Sequence, residues 1–238
     1  MTSPTVLIIG CQGALGKACV ETFQTAGYDI TQVSRAETAS VDGKHIIVAS
    51  AATNSVEAML EAIPAAFREK DLYDVIICPA GGWVGGSVAD PVAFAKGVDA
   101  SVSQSIVSSA VAAAIAGSSL KANGILALVG SAGALGPTAG FMGYGLAKAA
   151  VHHLVTSLGQ ADSGMPADSI AVGFLPNTLD TPSNRSWAAA DTDFSSWNPI
   201  TVIPEAVIAW AKGTEERPAS GAIFNVKTVA GKTSFVKL

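Results

Sequence analysis

Short apolar runs alternate along the chain with longer segments whose apolar positions recur at helical spacing. The short runs of Val, Ile and Leu, bounded by polar or turn residues, predict strands, and the longer segments predict helices between them. The predicted strands are Val6–Ile9, Ile30–Val33, His45–Val48, Val75–Cys78, Ile125–Val129, Ile170–Leu175 and Ala222–Val226. The predicted helices are Leu15–Ala26, Ser55–Arg68, Val98–Ala116, Gly143–Leu158 and Pro204–Lys212.

This alternation predicts an α/β fold. Strands of near-continuous Val, Ile and Leu are typical of a parallel sheet that is buried on both faces. We therefore expect a single Rossmann-type, doubly wound parallel sheet of about seven strands with helices on both faces. No internal repeat or linker divides residues 1–238, so one domain is predicted. Pro64 should end or kink the second helix, because proline cannot continue its hydrogen bonding.

The stretch 180–199 departs from the alternation. It is polar and aromatic, and its apolar residues follow neither the helix nor the strand period. Long irregular segments in compact domains are often lids or binding loops. We predict that this stretch covers a substrate, and an ordinary surface excursion is the alternative.

Composition narrows the class of protein. The chain has 238 residues, 49% of them hydrophobic and 14% charged, which suits one compact core. A net charge of −5 disfavours a nucleic-acid partner. Three cysteines at unrelated spacings (Cys11, Cys19 and Cys78) fit a reducing compartment better than a disulfide framework. The apolar stretch 106–115 is too short and too rich in Ser to cross a bilayer, so a soluble cytoplasmic protein without a membrane partner is expected.

A glycine-rich loop follows the first predicted strand and opens the first predicted helix. Glycines in this context permit a tight turn and a close backbone approach, and the helix N-terminus offers N–H groups to a pyrophosphate. The loop therefore predicts a dinucleotide site. Its expected cofactor-binding residues are Gly10, Gln12, Gly13, Ala14, Leu15 and Gly16.

The end of the second strand bears on which nicotinamide cofactor binds. An acidic side chain there binds the ribose 2′-hydroxyl of NADH, whereas an Arg accommodates the 2′-phosphate of NADPH. This strand ends in Ser34-Arg35 without an acid, so NADPH is preferred. Glu37 lies near enough to keep NADH possible, and a merely solvated Arg35 is the alternative.

Tyr144 and Lys148 stand four residues apart in a predicted helix. Four residues make about one turn, so the phenol and the ammonium lie on one face. A Lys in this position favours the phenolate and lowers the phenol pKa from its usual value of about 10. The pair alone signals little, because most such pairs are solvated helix faces. Together with the glycine loop, it predicts proton transfer beside a dinucleotide.

These motifs resemble the short-chain dehydrogenase/reductase family along essentially the whole chain. Ser131 ends a predicted strand 13 residues before Tyr144, which is the family's spacing for its active-site serine. The resemblance implies that Ser131 binds the substrate oxygen or orients Tyr144. The remaining active-site position of the family falls on Gln104, where most members carry Asn.

Further segments resemble the dihydropteridine reductases within that family. The resemblance implies NAD(P)H-dependent reduction of quinonoid dihydropterin to tetrahydropterin, which recycles the pterin of aromatic amino-acid hydroxylases. The animal members carry Ala at position 131 and an acid at position 34, so Ser131 is not essential for this reaction and NADPH is again favoured. The segments are 80–86, 104–106, 143–152, 163–166, 179–185 and 193–197.

The resemblance also assigns binding residues. It implies that the backbone after the sixth predicted strand, together with a Thr hydroxyl, binds the nicotinamide carboxamide. It also implies that Lys148 binds the ribose hydroxyls. Trp83 follows a strand at the edge where such sheets bind ligands, so its indole is expected to stack on a planar substrate, a core Trp being the alternative. The remaining cofactor residues are Ala80, Gly81, Gly82, Asn177, Thr178 and Thr181. The substrate residues are Trp83, Tyr144 and Trp197, and Trp197 together with Trp187 of the irregular stretch is expected to cover the ring from above.

Other expectations concern assembly and competing functions. The Ala- and Ser-rich helix 98–116 can pack closely on another helix, and the resemblance implies a homodimer built on it and on the Tyr144 helix. His152 and His153 are expected to pack or lie on the surface, and no metal site is predicted. A carbonyl reductase is the competing enzyme, because Tyr144, Lys148 and Ser131 suffice for it. A non-catalytic dinucleotide-binding protein is disfavoured, since it would have lost Tyr144 or Lys148.

Overall fold

The sheet is the frame of the molecule. The computed structural model describes residues 2–38, 40–42 and 44–238. Within these residues, nine strands pair into one sheet in the order β3-β4-β2-β1-β5-β6-β7-β8-β9. The strands are β1 (Thr5–Ile9), β2 (Asp29–Ala36), β3 (Ser40–Asp42), β4 (His45–Ala49), β5 (Tyr73–Cys78), β6 (Leu120–Val129), β7 (Ile170–Pro176), β8 (Ala222–Val229) and β9 (Lys232–Lys237).

Seven neighbouring strands of the described sheet, from β4 to β8, run parallel, and the antiparallel strands β3 and β9 flank them at the two edges. The expectation of about seven parallel strands is confirmed, and the two edge strands were not predicted. β9 returns from β8 through Ala230 and Gly231, whose φ angles are 48° and 76°. A two-residue turn with both central residues left-handed suits a hairpin, but an Ala at its first position gives no turn signal in a sequence.

Helices lie between the strands as predicted. They are α1 (Ala14–Thr25), α2 (Val56–Ala62), α3 (Pro91–Ser101), α4 (Ser108–Ser119), α5 (Met142–Leu158), α6 (Pro182–Trp187) and α7 (Val202–Lys212), with a π-helical turn at Val102–Val107 joining α3 to α4. The second helix ends well before Arg68, because Ile63 adopts extended backbone ahead of Pro64. The predicted effect of Pro64 is thus confirmed.

Both faces of the sheet carry helices. One buried cluster joins the sheet to α1 and α7 through side chains such as Phe23 and Val207. The other joins it to α2, α4 and α5 through Met59, Ile115 and Val155. The doubly wound arrangement is therefore confirmed.

The helical run from Pro91 to Ser119 is longer than the sequence indicated. By length and composition alone it could cross a membrane. However, 56% of its most apolar window is buried inside the protein, where Val111 and Ile115 pack into the second core cluster. Its apolar composition is accounted for by this packing.

The strand order places the site. Successive strands run outward from β1 to β2 and β4 on one side and from β5 to β8 on the other. The order therefore reverses between β1 and β5, and the carboxyl ends of these strands border a crevice of the kind that binds ligands in open α/β sheets.

Close packing of α3 on α5 gives a stability prediction. A Cβ at Gly143 would stand 2.7 Å from the Val98 backbone nitrogen and 2.8 Å from the Gly97 carbonyl carbon. We expect Gly143→Ala to lower the free energy of unfolding by about 1–2 kcal/mol, because overpacking outweighs the higher helix propensity of Ala. Urea denaturation measures the change.

Gly117→Ala is the matched control for that substitution. Gly117 also lies in a helix, but its Cβ would meet only a carbonyl oxygen at 3.7 Å. This variant should gain up to about 1 kcal/mol from helix propensity. Equal or greater stability of Gly143→Ala relative to the unmodified protein would contradict the tight helix contact.

Candidate active site

A cavity of about 300 Å³ lies at the carboxyl ends of β1, β2 and β5. It brings together the glycine loop, the tip of β2, the segment after β5 and the π-helical turn. Eight residues predicted for the site line it, namely Gly10, Gln12, Gly13, Ser34, Arg35, Ala80, Gly81 and Gln104.

The backbone of the glycine loop is tightly held. The Gly10 N–H donates to the Val33 carbonyl at 2.8 Å, and the φ angle of Gly10, 98°, favours glycine. A Cβ at Gly10 would stand 2.7 Å from the Ala80 Cα, and one at Gly16 would stand 2.1 Å from the Gly10 carbonyl oxygen. Glycine is therefore required where the loop passes the segment after β5 and where α1 passes the loop.

The first turn of α1 can receive an anion. The helix begins at Ala14. Its N-cap residue, Gly13, has no side chain that could cap it, and its first turn contains no acidic residue. N–H groups at a helix start that lack such partners favour phosphate groups. Leu15 is buried in the core, so its part in cofactor binding is limited to its backbone.

The tip of β2 places Ser34 and Arg35 differently. Arg35 is exposed at the cavity wall. Ser34 is only 6% exposed, and its Oγ lies 2.8 Å from Nε2 of His45. His45 was not among the predicted site residues, since nothing in its local sequence marks it. The pairing of β2 with β4 brings it there.

Lys148 is the most deeply buried charged group of the site. It is 4% exposed, its Nζ donates to the Val129 carbonyl at 2.9 Å, and it lies 5.8 Å from the centroid of the Tyr144 ring. Burial lowers the pKa of Lys148 to about 8, although nearby Cys78 raises it somewhat. The ammonium therefore titrates close to neutral pH.

Tyr144 corrects one expectation. Burial raises the pKa of its phenol, and a hydrogen bond from Ser131 lowers it in part. The predicted lowering by Lys148 is not observed, because desolvation disfavours the phenolate more than its neighbours favour it. Tyr144 is accordingly a protonated acid at neutral pH.

Ser131 is held from two sides. Its Oγ accepts from the Gly133 N–H at 3.2 Å, and its own N–H donates to Nε2 of His152 at 3.1 Å. Burial, followed by the charge of Lys148, lowers the pKa of His152 to about 4. A neutral imidazole can accept this bond, so His152 does more than pack: it fixes the backbone of Ser131.

The loop after β5 passes closely over the polar side chains of the site. A Cβ at Gly82 would stand 2.0 Å from Oε1 of Gln104, and one at Gly81 would stand 2.8 Å from Nζ of Lys148. Gln104 belongs to the π-helical turn, a deformation that is frequent at functional sites. Its neighbour Ser105 is fully buried, and its Oγ has no hydrogen-bond partner among the described residues.

Aromatic side chains adjoin the phenol. Trp83 is 68% exposed, so the alternative of a core Trp is wrong. Its ring centroid lies 6.4 Å from that of Phe141, which in turn lies 6.1 Å from that of Tyr144. Phe141 was not predicted. The Gly86 N–H donates to the Gly140 carbonyl at 2.9 Å and joins the two aromatic segments.

The segment after β7 is fixed by Asn198, which sequence reasoning also missed. Its side-chain Oδ1 accepts from the Asn177 N–H at 2.8 Å, and its backbone N–H donates to the Thr178 carbonyl at 2.7 Å. Its Nδ2 donates to Thr228 on β8 at 2.8 Å. Thr181 is buried and caps α6, its Oγ1 accepting from the Asn184 N–H at 3.0 Å.

The stretch 180–199 is more regular than predicted, since it contains α6 and a 3-10 turn at Phe194–Ser196. Trp197 is only 8% exposed and packs on Phe194, with ring centroids 4.8 Å apart. Its burial makes it a packing residue rather than an exposed substrate cover. Trp187, whose ring lies 6.0 Å from that of Trp197, is by contrast 66% exposed.

The cavity has a glycine cradle at one end, and Gly81 in its lining lies against the buried Lys148, which is close to the protonated Tyr144. This arrangement is that of a nicotinamide-dependent reductase. Comparisons with known proteins agree. Residues 6–172 match the NAD dependent epimerase/dehydratase family. The chain is 30% identical over 237 residues to the dihydropteridine reductase of Dictyostelium discoideum, covering 99% of this chain and 100% of that protein.

Solved structures agree on the fold. A short-chain dehydrogenase/reductase from Serratia marcescens has a TM-score of 0.73 at 17% identity, with 96% of this chain and 98% of that chain covered. BdcA in complex with NADPH has a TM-score of 0.71 at 20% identity, with 98% and 97% covered. The chain therefore belongs to the NAD dependent epimerase/dehydratase family and has the fold of the short-chain dehydrogenases/reductases. Its full-length similarity to a dihydropteridine reductase makes it an NAD(P)H-dependent oxidoreductase.

The pKa of Lys148 gives a pH prediction. Below about pH 8 the ammonium is charged, and above it the charge is lost. If cofactor binding and proton transfer both require this charge, kcat/KM for NAD(P)H oxidation should fall as the pH rises through about 8. In Lys148→Arg, whose guanidinium stays charged, activity should be lower but this alkaline fall should disappear.

The measurement is kcat/KM between pH 6 and 10, with Lys96→Arg as control, because Lys96 is exposed on α3 outside the site. The control should reproduce the profile of the unmodified protein. A profile that stays flat through pH 10 would contradict the role given to the Lys148 charge.

Proposed function

We propose that the chain reduces quinonoid dihydropterin to tetrahydropterin and so recycles the pterin of aromatic amino-acid hydroxylases. The observation that carries this proposal is the exposed Trp83 beside Phe141, which adjoins Tyr144, two residues beyond Gly81 of the cavity lining. A flat heterocycle can lie on the indole while its edge meets the phenol. The similarity to the Dictyostelium dihydropteridine reductase supports the same substrate class.

In this reaction the side chains position the substrate and supply a proton. Bound NAD(P)H supplies the hydride. Tyr144 donates the accompanying proton, which its raised pKa keeps on the phenol at neutral pH. Ser131 holds the phenol oxygen in place, and Lys148 binds the ribose hydroxyls. Trp83 fixes the plane of the ring, so most of the acceleration comes from orientation.

NADPH is the preferred cofactor in this proposal, and NADH remains usable. The dinucleotide fits the cradle of Gly10, Gly13 and Gly16 and the uncapped start of α1. Arg35, exposed at the cavity wall, can bind a 2′-phosphate. Glu37 can accept from a 2′-hydroxyl. The nicotinamide end of the cofactor is bound by backbone and hydroxyl groups of the segment after β7, which Asn198 holds in place.

A carbonyl reductase is the second candidate. The nearness of the Ser131 hydroxyl to the Tyr144 phenol, which lowers the phenol pKa in part, favours it, since such a pair can bind and protonate a carbonyl oxygen. Quinonoid dihydropterin needs no such oxygen contact. The two candidates share a cofactor and a proton donor, so substrate preference separates them.

The proposal includes a homodimer and a cytoplasmic location. A shallow cavity of about 270 Å³ runs between α4 and α5 and is lined by small and apolar side chains such as Ala110, Ala150 and Leu154. Helices with small residues pack closely in oligomers. Cys11, Cys19 and Cys78 are buried free thiols, as suits a reducing compartment.

An assay of NADPH and NADH oxidation tests the proposal. Quinonoid dihydropterin is offered beside a panel of ketones and aldehydes, and kcat/KM is compared for each. A clear preference for the pterin supports the proposal. A preference for carbonyls assigns the second candidate, and no turnover of either would contradict both.

Trp83→Ala should chiefly raise the KM for the pterin. Stacking of an aromatic ring on a base contributes roughly 1–3 kcal/mol, so a rise of about fivefold to a hundredfold is expected. Trp83→Phe should restore most of the affinity. Steady-state kinetics at saturating NADPH give both values, and an unchanged KM in folded Trp83→Ala would remove Trp83 from the substrate site.

Trp187→Ala is the comparison for the stretch 180–199. A raised pterin KM in this variant would support the stretch as a substrate cover. An unchanged KM would leave it an ordinary surface excursion. The NADPH KM should stay the same in both tryptophan variants.

Arg35→Ala should weaken NADPH about tenfold to a hundredfold, because loss of one partner of a charged group costs roughly 1.5–3 kcal/mol. NADH, which lacks the 2′-phosphate, should be nearly unaffected and serves as the internal control. Ser34→Asp combined with Arg35→Ala should invert the preference. The measurement is kcat/KM for NADPH and for NADH in each variant. An equal loss for both cofactors in Arg35→Ala would mean that Arg35 does not bind the 2′-phosphate.

A further inference from the structure

Ser34, His45 and Cys11 meet at the tip of β2. Nε2 of His45 lies 2.8 Å from Ser34 Oγ and 3.8 Å from Cys11 Sγ. Ser34 lines the cavity beside Arg35, while half-buried His45 lies behind it. The hydroxyl that faces the cavity is therefore in direct contact with an imidazole.

We propose that His45 is a specificity-determining residue that acts through Ser34. In this proposal, the protonation of His45 decides whether the Ser34 hydroxyl favours NADPH or NADH. It rests on the proposed function to the extent that an adenosine ribose must reach the tip of β2. His45 is a positioning residue, since Ser34 and not His45 makes the contact with the cofactor.

The Ser34 hydroxyl has one proton, and its hydrogen bond with the His45 imidazole decides which way that proton points. In this proposal the neutral ring of His45 carries its proton on Nδ1, so Nε2 accepts the proton of Ser34, and Oγ turns lone pairs toward the cavity. Those lone pairs accept from the 2′-hydroxyl of NADH. When His45 is charged, its Nε2–H donates to Oγ, and the Ser34 O–H is released to donate to the 2′-phosphate of NADPH.

Charged and titratable groups around His45 set the background of this equilibrium. Asp42 lies opposite His45 in the antiparallel pair of β3 and β4, hence on the same side of the sheet. Lys44 precedes it and forms an ion pair with Asp29 of β2. Arg35 is one residue beyond Ser34. Burial raises the pKa of the Cys11 thiol, with weaker lowering by its own backbone and by Ser34, so this neighbour stays neutral.

The expected consequence is a pH-dependent cofactor preference. A falling pH favours the charged form of an imidazole. The ratio of NADP⁺ to NAD⁺ affinity should therefore rise about five- to tenfold as the pH falls from 8.5 to 5.5, the size expected for one hydrogen bond to a charged group. Protonation of the 2′-phosphate, whose second pKa is about 6, acts in the opposite direction and is common to all variants.

Equilibrium binding of NADP⁺ and NAD⁺ to the intact protein tests this inference. Dissociation constants are measured by calorimetry at intervals from pH 5.5 to 8.5 for the unmodified protein, His45→Gln and Ser34→Ala. Gln reaches as far as Nε2 but does not titrate. His153→Gln is the matched control, because this imidazole lines the groove between α4 and α5 proposed for dimer contact and not the cavity that Ser34 lines.

The proposal predicts a rise of the NADP⁺ preference toward low pH in the unmodified protein and in His153→Gln. In His45→Gln and in Ser34→Ala, only the opposing effect of the phosphate should remain. Equal pH dependence in the unmodified protein and in either of these two variants overturns the proposal. A protein that binds neither dinucleotide at any pH overturns the proposed function itself, which is a different result.

Discussion

The buried ammonium of Lys148 is the interaction on which the site depends. It donates to the Val129 carbonyl at the end of β6 and so fixes α5 against the sheet. The loop after β5 passes so close to it that a Cβ at Gly81 would stand 2.8 Å from its Nζ. Three elements therefore converge on one charged group. Because burying that group is costly, its pKa drops to about 8, and the same desolvation that makes the site sensitive to pH keeps the surrounding geometry rigid.

Around Lys148, the polar groups at the carboxyl edge of the sheet are held by hydrogen bonds to residues that do not themselves face a ligand. His152 accepts from the Ser131 N–H, and Asn198 uses both ends of its amide and both of its backbone groups to hold the segment after β7. Supporting bonds of this kind keep side chains in productive positions before a ligand arrives. The catalytic residues are thus a small part of the polar network that makes them effective.

The sequence predicted what short-range patterns encode and missed what distant pairing creates. Continuous apolar strands, the glycine loop and the Tyr144–Lys148 spacing are local signals, and the structure contains each of them. His45 reaches Ser34 only through the register of β2 with β4, and no local pattern marks such a contact. Trp197 illustrates the opposite error, a predicted ligand contact that is a packing residue. An aromatic residue in a polar stretch resembles a ligand contact until its burial against Phe194 is known.

The electrostatics of the chemical end suit proton donation by the free enzyme. Proton donation requires a neutral phenol, and burial maintains one by raising the pKa of Tyr144 above its usual range, with only partial compensation from Ser131. A dehydrogenase would need the opposite, a phenolate that accepts a proton near neutral pH. Lys148, with a pKa of about 8, is charged in only part of the molecules under mildly alkaline conditions and cannot be relied on to produce that phenolate. The protonation states from which the reaction starts are therefore set by how deeply the phenol and the ammonium are buried, before any substrate binds.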